Sequence, residues 1–241
     1  MPTPAPAVYP ATIRIGILAY ENFEPLDVWG FCEPFSVARF LGTGYRESDN
    51  LPFELLLIAN QDGNAGKGAV GPRPVKSYNG PRVAPDLFRN QALRARLDVL
   101  MVPGGFGTGA ALDDPKLIEW LRRMDQRVAL MTSVCTGAAL FAKAGLLDGK
   151  AAATNHQAFG WVAQQGPLVL WDNCARWVDA GRYVTSAGVS AGIDMGFYLV
   201  QRLLGRAAAE VAAITAEYDW HRDPRQPIEY PPQASIPVPL T

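Results

Sequence analysis

Residues 128–144, Val128-Ala-Leu-Met-Thr-Ser-Val-Cys-Thr-Gly-Ala-Ala-Leu-Phe-Ala-Lys-Ala144, place a cysteine between an apolar strand pattern and a run of small residues. A strand, a sharp turn, a nucleophile and a helix in this order are typical of a nucleophile elbow, here with Cys135 where hydrolases have serine. A thiol at the start of a helix has its pKa lowered by the backbone N–H groups and the helix dipole. We therefore expect Cys135 to be a reactive nucleophile, and we interpret Cys32 and Cys174 as structural cysteines.

Outward from this stretch, short apolar runs alternate with helical patterns along the chain. Strands are predicted over residues 13–20, 53–59, 97–102 and 127–132, with a late hairpin around 179–181. Helices are predicted over 27–40, from 114 onward, and over 136–144, 193–204 and 206–218. Near-continuous apolar strands interleaved with helices indicate a parallel sheet covered on both faces. The predicted fold class is α/β, a flavodoxin-like, doubly wound, mostly parallel sheet with a cysteine nucleophile elbow.

A glycine-rich segment, Pro103-Gly-Gly-Phe-Gly-Thr-Gly-Ala110, follows the predicted strand 97–102. It satisfies a G-x-G-x-x-A pattern, but the next strand ends without the carboxylate that a dinucleotide site needs, so no cofactor is expected. Because ligands of open sheets bind outside the carboxyl ends of the strands, we expect this segment beside Cys135. The N–H groups of Gly105 and Thr136 are predicted to stabilise negative charge on a substrate atom, and Gly104 is assigned to the same substrate-binding loop.

A carboxylate follows the first predicted strand, in the segment Glu24-Pro-Leu-Asp-Val-Trp-Gly-Phe-Cys-Glu33. At this position Asp27 should meet Cys135, and burial would keep its carboxyl protonated, so that it could serve as a general acid. The alternative role for Asp27 is that of a helix cap. Glu33 lies further into the helix and is expected to form local bonds only.

Composition excludes several classes of function. The 241 residues carry 22 Lys and Arg against 23 Asp and Glu, which leaves no positive surplus for binding nucleic acid. Three cysteines are too few for a disulfide framework and indicate a reducing, cytoplasmic location, and two histidines argue against a metal site. No apolar run approaches 18 residues, so no membrane contact is expected. We expect a disordered arm over 1–11, one domain over 12–220 and a Pro-rich tail over 221–241.

Five motifs occur in order along the chain: Leu26-Asp27-x-x-Gly30, Val102-Pro103-Gly104-Gly105, Thr132-Ser-Val-Cys-Thr-Gly137, Ala144-Gly-Leu-Leu-Asp-Gly149 and Ser186-Ala-Gly188. Together they resemble the ThiJ/PfpI superfamily, which has the class I glutamine-amidotransferase-like fold. The Ser-Val-Cys-Thr-Gly motif with an Asp on the first loop resembles its isonitrile (cyclohexyl-isocyanide) hydratase branch. This resemblance implies that Cys135 is the nucleophile, Asp27 its acidic partner and Thr136 the residue beside it. It also implies a small-molecule substrate and a homodimer.

Two positions bear on which activity of the superfamily to expect. Thr136 stands where the proteases and amidotransferases of this fold have a His, so peptidase or glutaminase activity is not expected. His156 matches a histidine of the relatives, although its neighbours Asn155 and Gln157 do not. It either reaches the crevice as a second polar, substrate-binding group or bonds to the backbone at a helix start.

The resemblance implies a lyase that adds water to a small isonitrile, giving an N-substituted formamide through a covalent Cys135 thioimidate. The same signature occurs in the sensor domains of AraC-type regulators, so a small-molecule or redox sensor without a DNA-binding domain is one alternative. The chain carries no helix-turn-helix region, which favours the enzyme. A glyoxalase-type cysteine enzyme is another alternative, although its relatives use a Glu on the first loop and a nearby His.

Overall fold

A seven-stranded sheet forms the centre of the molecule, and the computed structural model describes residues 11–40, 51–63 and 71–226. The strands are β1 (Ile13–Ala19), β2 (Phe53–Ala59), β3 (Val75–Lys76), β4 (Arg82–Val83), β5 (Leu87–Phe88), β6 (Val99–Val102), β7 (Leu130–Ser133), β8 (Ala151–Ala153), β9 (Leu170–Asp172), β10 (Trp177–Ala180) and β11 (Tyr183–Ser186). The central sheet has the order β10-β11-β7-β6-β1-β2-β5 and is parallel except for the β10–β11 hairpin. Strands β3–β4 and β8–β9 form two separate two-stranded sheets.

The helices fall into two packed groups. They are α1 (Pro25–Val37), α2 (Arg89–Ala92), α3 (Thr108–Leu112), α4 (Pro115–Asp125), α5 (Gly137–Lys143), α6 (Phe159–Gln165), α7 (Ala191–Leu204) and α8 (Arg206–Thr215). Helices α1, α7 and α8 contact one another, whereas α3, α4 and α5 contact one another and α6 packs on α5. Since β2 lies on one side of β1 and β6 on the other, right-handed crossovers place these two groups on opposite faces of the sheet.

The predicted flavodoxin-like α/β fold is confirmed, and its physical basis is visible in the central strands. β1 pairs with β2 over seven residues, from Ile13 opposite Phe53 to Ala19 opposite Ala59. Side chains on both faces of β1 are buried, because both faces of the sheet are covered by helices. This burial explains the continuous apolar pattern of the strand in the sequence.

The first helix begins at Pro25, two residues before its predicted start. The side chain of Glu24 accepts a hydrogen bond from Leu26 N at 3.2 Å, and Pro25 needs no such partner because it has no N–H. This earlier start puts Asp27 in the first turn of α1, where it is fully buried. The strands β3, β4, β5, β8 and β9 were not predicted, because two or three residues are too few to show a period-two pattern.

Several segments predicted to be irregular fall outside the described residues. These are residues 1–10 of the predicted arm and residues 227–241 of the predicted tail. Two segments that the sequence marks as loops, 42–50 and 63–71, also lie outside the described residues, the first completely and the second over residues 64–70. Residues 221–226 are described and lie against the domain, where Pro224 O accepts a hydrogen bond from Arg176 N at 2.8 Å. Among the described helices, none combines the length and apolar character that crossing a lipid bilayer requires.

The strand order reverses at β1, because β2 follows on one side of it and β6 on the other. In open α/β sheets the crevice at such a reversal, outside the carboxyl ends of the strands, is where ligands bind. The loops after β1, β6 and β7 meet there. Glu24 N donates to Gly104 O at 2.8 Å, and Val134 N donates to Val102 O at 3.1 Å. The fold thus assembles the three sequence segments that carry the candidate chemistry.

Candidate active site

Cys135 occupies the turn between β7 and α5 with a positive φ of 58°. Such a backbone costs roughly 1–3 kcal/mol at a non-glycine residue and persists only where its surroundings hold it. Two hydrogen bonds do so: Cys135 N donates to Ser186 O at 3.2 Å, and Thr154 Oγ1 donates to Cys135 O at 2.9 Å. Gly137 allows α5 to begin against β6, since a Cβ there would lie 2.3 Å from Val102 O. The turn has the geometry expected of a nucleophile elbow.

The carboxyl group of Asp27 lies beside this turn, and its two oxygens have different surroundings. Oδ2 accepts a hydrogen bond from Gly104 N at 2.7 Å, whereas Oδ1 is buried with no hydrogen-bond partner in the part of the chain that the structure describes. Burial raises the pKa of Asp27 to about 8, although the Gly104 N–H acts in the opposite direction. Asp27 therefore holds a proton at neutral pH. It is not the cap of α1, because the side chain of Glu24 has that role.

The sulfur of Cys135 is buried among hydrogen-bond donors. Asn155 Nδ2 donates to Sγ at 3.2 Å, and the backbone N–H and side chain of Thr136 also act on the thiol. These donors stabilise a thiolate, but burial, followed by the charge of the Asp27 carboxyl, raises the pKa of Cys135 well above its ordinary value. The expectation of a lowered pKa was wrong, because burial of the thiol and the charge of Asp27 outweigh the hydrogen-bond donors that lower its pKa. Attack by this sulfur therefore requires a nearby group that accepts its proton.

Gly104 and Gly105 bring the loop after β6 into contact with the elbow. A Cβ on Gly104 would lie 2.5 Å from Thr136 Oγ1 and 3.0 Å from Cys135 Cβ, and one on Gly105 (φ 128°) would lie 2.4 Å from Glu24 N. Their N–H groups are already engaged within the protein, by Asp27 Oδ2 and by Thr136 Oγ1 at 3.1 Å. The prediction named the N–H groups of Gly105 and Thr136 as the donors to a substrate. In this structure the Gly105 N–H is bonded to Thr136 Oγ1 and the Thr136 N–H acts on the Cys135 thiol, so donation to a substrate by these groups stays a prediction.

A chain of hydroxyl groups leads from the elbow into the interior. Thr136 Oγ1 lies 2.8 Å from Thr108 Oγ1, which lies 3.1 Å from the hydroxyl of Tyr20, and Tyr20 donates to Pro103 O at 2.7 Å. Sequence reasoning missed Thr108 and Tyr20. Tyr20 is the last residue of the predicted strand 13–20, and Thr108 lies in the glycine-rich segment after the predicted strand 97–102, so the rule that chemistry collects at strand ends could have found them. This chain fixes the orientation of the Thr136 side chain next to the sulfur.

Asn155, rather than the predicted His156, is the residue of its segment that contacts the sulfur among the described residues. Its Oδ1 accepts a hydrogen bond from Ala158 N at 2.9 Å, which orients the amide so that Nδ2 points at Sγ. The His156 carbonyl accepts a hydrogen bond from Phe159 N at 3.4 Å at the start of α6. Sequence reasoning singled out the histidine because of the relatives and overlooked the amide beside it.

Gly188 closes the site from the side of β11. A Cβ at this position would lie 2.1 Å from Asn155 Nδ2 and 3.2 Å from the sulfur of Cys135. Only the absence of a side chain allows the backbone to pass so close to both groups. The sequence showed Gly188 as part of a motif, but its contact with the thiol depends on the pairing of β11 with β7.

A metal centre has no support in the described residues, where no group of three or more His, Cys, Asp or Glu side chains could hold an ion. The polar groups around the sulfur are instead an acid, an amide and hydroxyls. Together they can donate and accept protons at an atom bound to Cys135.

Comparison with known proteins identifies relatives that match most of the chain. The model of the DJ-1/PfpI family matches residues 52–202, a stretch that includes Cys135, Asn155 and Gly188 but begins after Asp27. A solved structure of a ThiJ/PfpI family protein from Pseudomonas syringae superposes with a TM-score of 0.72 and 27% identity, covering 91% of this chain and 82% of that one.

Two relatives of named function match the sequence. The isonitrile hydratase of Pseudomonas putida is 34% identical over 122 residues, which is 51% of this chain and 52% of the relative. The HTH-type transcriptional regulator GbdR of Pseudomonas aeruginosa is 27% identical over 227 residues, which is 92% of this chain and 55% of the relative. The chain thus spans about half the length of either relative.

Proposed function

The chain belongs to the DJ-1/PfpI family, and from this premise we propose that it is a hydro-lyase that adds water to a small isonitrile. The product is an N-substituted formamide, and the reaction passes through a thioimidate on Cys135. The observation that carries the proposal is the buried Asp27 carboxyl beside the Cys135 thiol: Gly104 N holds its Oδ2, and burial raises its pKa and so favours the protonated form. An isonitrile carbon must gain both a nucleophile and a proton, and this pair of groups supplies both.

In the first step the sulfur forms a bond to the terminal isonitrile carbon. The Asp27 carboxyl donates its proton to that carbon and takes up the proton of the thiol, so it is neutral again when the thioimidate has formed. This exchange explains how a thiol with a raised pKa can attack without a free thiolate being present beforehand. The hydrogen bonds that Asn155 and Thr136 direct to the sulfur stabilise the negative charge that develops on it during attack.

In the second step a water molecule adds to the thioimidate carbon. Asp27 donates its proton to the substrate nitrogen and accepts one proton from the water, which forms a tetrahedral adduct. The carbon–sulfur bond then breaks, the sulfur recovers a proton and the formamide leaves. Over both steps one water molecule is consumed. The substrate carbon and nitrogen each gain one hydrogen, and the water accounts for both. The Asp27 carboxyl and the Cys135 thiol end in their initial protonation states.

The 34% identity to an isonitrile hydratase supports this substrate class over the other chemistries of the family. The site itself adds a second argument. Thr136 follows the nucleophile, so the adjacent imidazole that would protonate a leaving amine in peptide or glutamine hydrolysis is not present at that position. Addition to an isonitrile releases no leaving group, so a single carboxyl suffices.

The match to GbdR favours a second candidate, a small-molecule sensor domain, because it extends over 92% of the chain. In that role the elbow would bind a ligand without turning it over. A sensor would therefore form a stable complex with its ligand, whereas an enzyme would form product repeatedly.

The decisive experiment combines intact-mass trapping with product detection. The protein is incubated with cyclohexyl isocyanide, a glyoxal and a thioester separately, and both the adduct on Cys135 and the released product are followed. We expect catalytic formation of the formamide, with Cys135→Ala inactive and folded. Turnover of the glyoxal alone would assign the glyoxalase alternative, and binding without turnover of any compound would assign the sensor.

We also propose that the enzyme is a cytoplasmic homodimer. The cytoplasmic assignment is supported by three cysteines without a disulfide. The dimer is supported by the resemblance to superfamily members.

A further inference from the structure

We propose that the buried ion pair between Arg176 and Asp194 is a positioning device for the active site, and that the C-terminal segment 218–224 holds it in place. Through this pair the segment sets the position of Gly188 and Asn155 against the Cys135 sulfur. The inference rests on the proposed function in so far as Cys135 is the reacting group. Arg176, Asp194 and the segment 218–224 take no part in the proposed chemical steps.

Asp194, in the first turn of α7, is completely buried and collects bonds from three directions. Its Oδ2 accepts hydrogen bonds from the Arg176 guanidinium, through Nε at 3.1 Å and through a second, shorter contact. Its Oδ1 accepts from the Tyr218 hydroxyl and from His221 N, both at 3.1 Å. Its carbonyl accepts from Trp220 Nε1 at 3.2 Å. One carboxylate therefore ties the segment after α8 to an arginine that precedes β10.

The backbone of Arg176 transmits this attachment to the active site. Its N–H donates to Pro224 O at 2.8 Å, and its carbonyl accepts from Ala187 N at 2.7 Å. Because β10 and β11 are antiparallel, these bonds extend the hairpin ladder beyond its last pair, Trp177 opposite Ser186. Arg176 thus links Ala187, the residue after β11, to Pro224 of the C-terminal segment, and its side chain is bonded to Asp194.

Ala187 directly precedes Gly188, whose backbone is in contact with both Asn155 Nδ2 and the Cys135 sulfur. The preceding residue, Ser186, accepts the hydrogen bond that fixes the strained Cys135 backbone. Gly188 leaves no room for even a Cβ beside Asn155 Nδ2, so we expect a displacement of Ala187 and Gly188 toward the site to move Asn155 or the sulfur. A shift of this kind changes the hydrogen bond from Asn155 to Sγ, and with it the ease of forming a thiolate. The ion pair therefore acts on the thiol through the backbone of Arg176 and then through the backbone of Ala187 and Gly188.

The test uses three variants of the full-length chain and two measurements. Asp194→Asn removes the charge of the pair and keeps the shape of the side chain. Tyr218→Phe removes only one hydrogen bond to Asp194 and leaves the ion pair intact, so it remains informative if Asp194→Asn does not fold. Tyr198→Phe is the matched control. It also removes a hydrogen bond between a tyrosine and an aspartate, but this bond joins Tyr198 of α7 to Asp179, at the end of the β10–β11 hairpin that lies away from Arg176.

The first measurement is the pH profile of Cys135 alkylation by iodoacetamide, followed by mass spectrometry at that residue, which requires no isonitrile. The second is kcat and KM on cyclohexyl isocyanide. For Asp194→Asn we expect the alkylation midpoint to move to higher pH and kcat to fall about 10- to 100-fold with a smaller change in KM. Tyr218→Phe should change both in the same direction by less, and Tyr198→Phe should change neither.

A purely structural role predicts a different pattern. In that case Asp194→Asn and Tyr218→Phe lower the melting temperature while their alkylation profiles coincide with that of Tyr198→Phe, and the inference is overturned. If the wild type does not turn over the isonitrile, but Asp194→Asn and Tyr218→Phe still change the alkylation profile, then the proposed substrate is wrong and the positioning role stands.

Discussion

At Asp27, a difference between two oxygen atoms determines what the residue can do. Oδ2 is fixed by the Gly104 N–H, which leaves Oδ1 for the proton exchange with the thiol and the substrate that we propose. Asp27→Asn keeps the size of the side chain and its bond to Gly104 but removes the transferable proton. We expect it to lower turnover of an isonitrile about 10²- to 10⁴-fold, the usual range for a general acid–base group. The rate of formamide production measures this loss.

Asp27→Glu is the companion variant, because it restores a carboxyl group at a slightly different distance. It should retain part of the activity that Asp27→Asn loses. Equal activity in Asp27→Asn and the wild type would show that the carboxyl only fills space, and the proposed proton path would then be wrong.

The same carboxyl affects the stability of the fold in a way that depends on pH. In the unfolded chain Asp27 loses its proton near its ordinary pKa of 3.8, whereas the folded protein keeps it up to about 8. The unfolded state therefore binds fewer protons between these values, and the free energy of unfolding falls as the pH rises from about 4 to about 8. We expect Asp27→Asn to be more stable than the wild type at pH 7 by at least about 1 kcal/mol, the equivalent of one pKa unit.

Denaturant unfolding of both proteins at pH 4, 5.5 and 7 measures this effect. The advantage of Asp27→Asn should shrink steadily as the pH is lowered. A difference that stays constant over this range would mean that the carboxyl does not titrate between the two states.

At the scale of elements, the loop after β6 and the start of α5 can approach only because no side chain separates them. In Gly104→Ala the new Cβ would meet the Thr136 backbone nitrogen at 2.6 Å, so the loop must move away from the elbow. We expect a loss of about 1–3 kcal/mol in the free energy of unfolding and a large loss of activity. Denaturant unfolding and formamide production report the two effects.

Gly109→Ala is the matched control, five residues further along the same segment. A Cβ there would meet nothing within 4 Å, and the residue lies inside α3. Alanine favours a helix over glycine by up to about 1 kcal/mol, so this variant should be equal or more stable and fully active. A similar loss in both variants would refute the close approach as the cause.

The parts of this architecture that could be predicted are those with a local signature. The strands β1 and β2 are marked by continuous apolar runs, and Asp27 and Cys135 are marked by their place after strands. Asn155 and Gly188 could not be found in this way. Their contacts arise because β11 pairs with β7 and the segment after β8 folds back over the elbow, and such long-range pairings leave no trace in a short window.

At the scale of the whole molecule, the composition of the C-terminal segment predicts a Pro-rich tail over residues 221–241 that is either loose or wrapped onto a neighbouring surface. Prolines do exclude a helix there, but they do not exclude hydrogen bonding through carbonyl oxygens, and Pro224 uses its carbonyl in this way. Composition predicts which regular structures are impossible, whereas the partner of a given carbonyl depends on the finished fold.

The assembly of the protein is a further prediction at this scale. We expect a homodimer with a symmetric interface, as implied by the resemblance to the superfamily. Light scattering at micromolar concentration should report twice the 26.1 kDa mass of one chain. A single species of 26.1 kDa under those conditions would contradict it.

The attachment of Pro224 to Arg176 also has a consequence for protein synthesis. A ribosome releases the chain from the amino end, so Cys135 and both strands beside it emerge well before residue 224 does. Until that late residue is free to dock, the ladder that supports Ala187 lacks one of its bonds. The thiol is therefore synthesised early but acquires its final surroundings late, and we expect its chemical environment in an unfinished chain to differ from that in the completed protein.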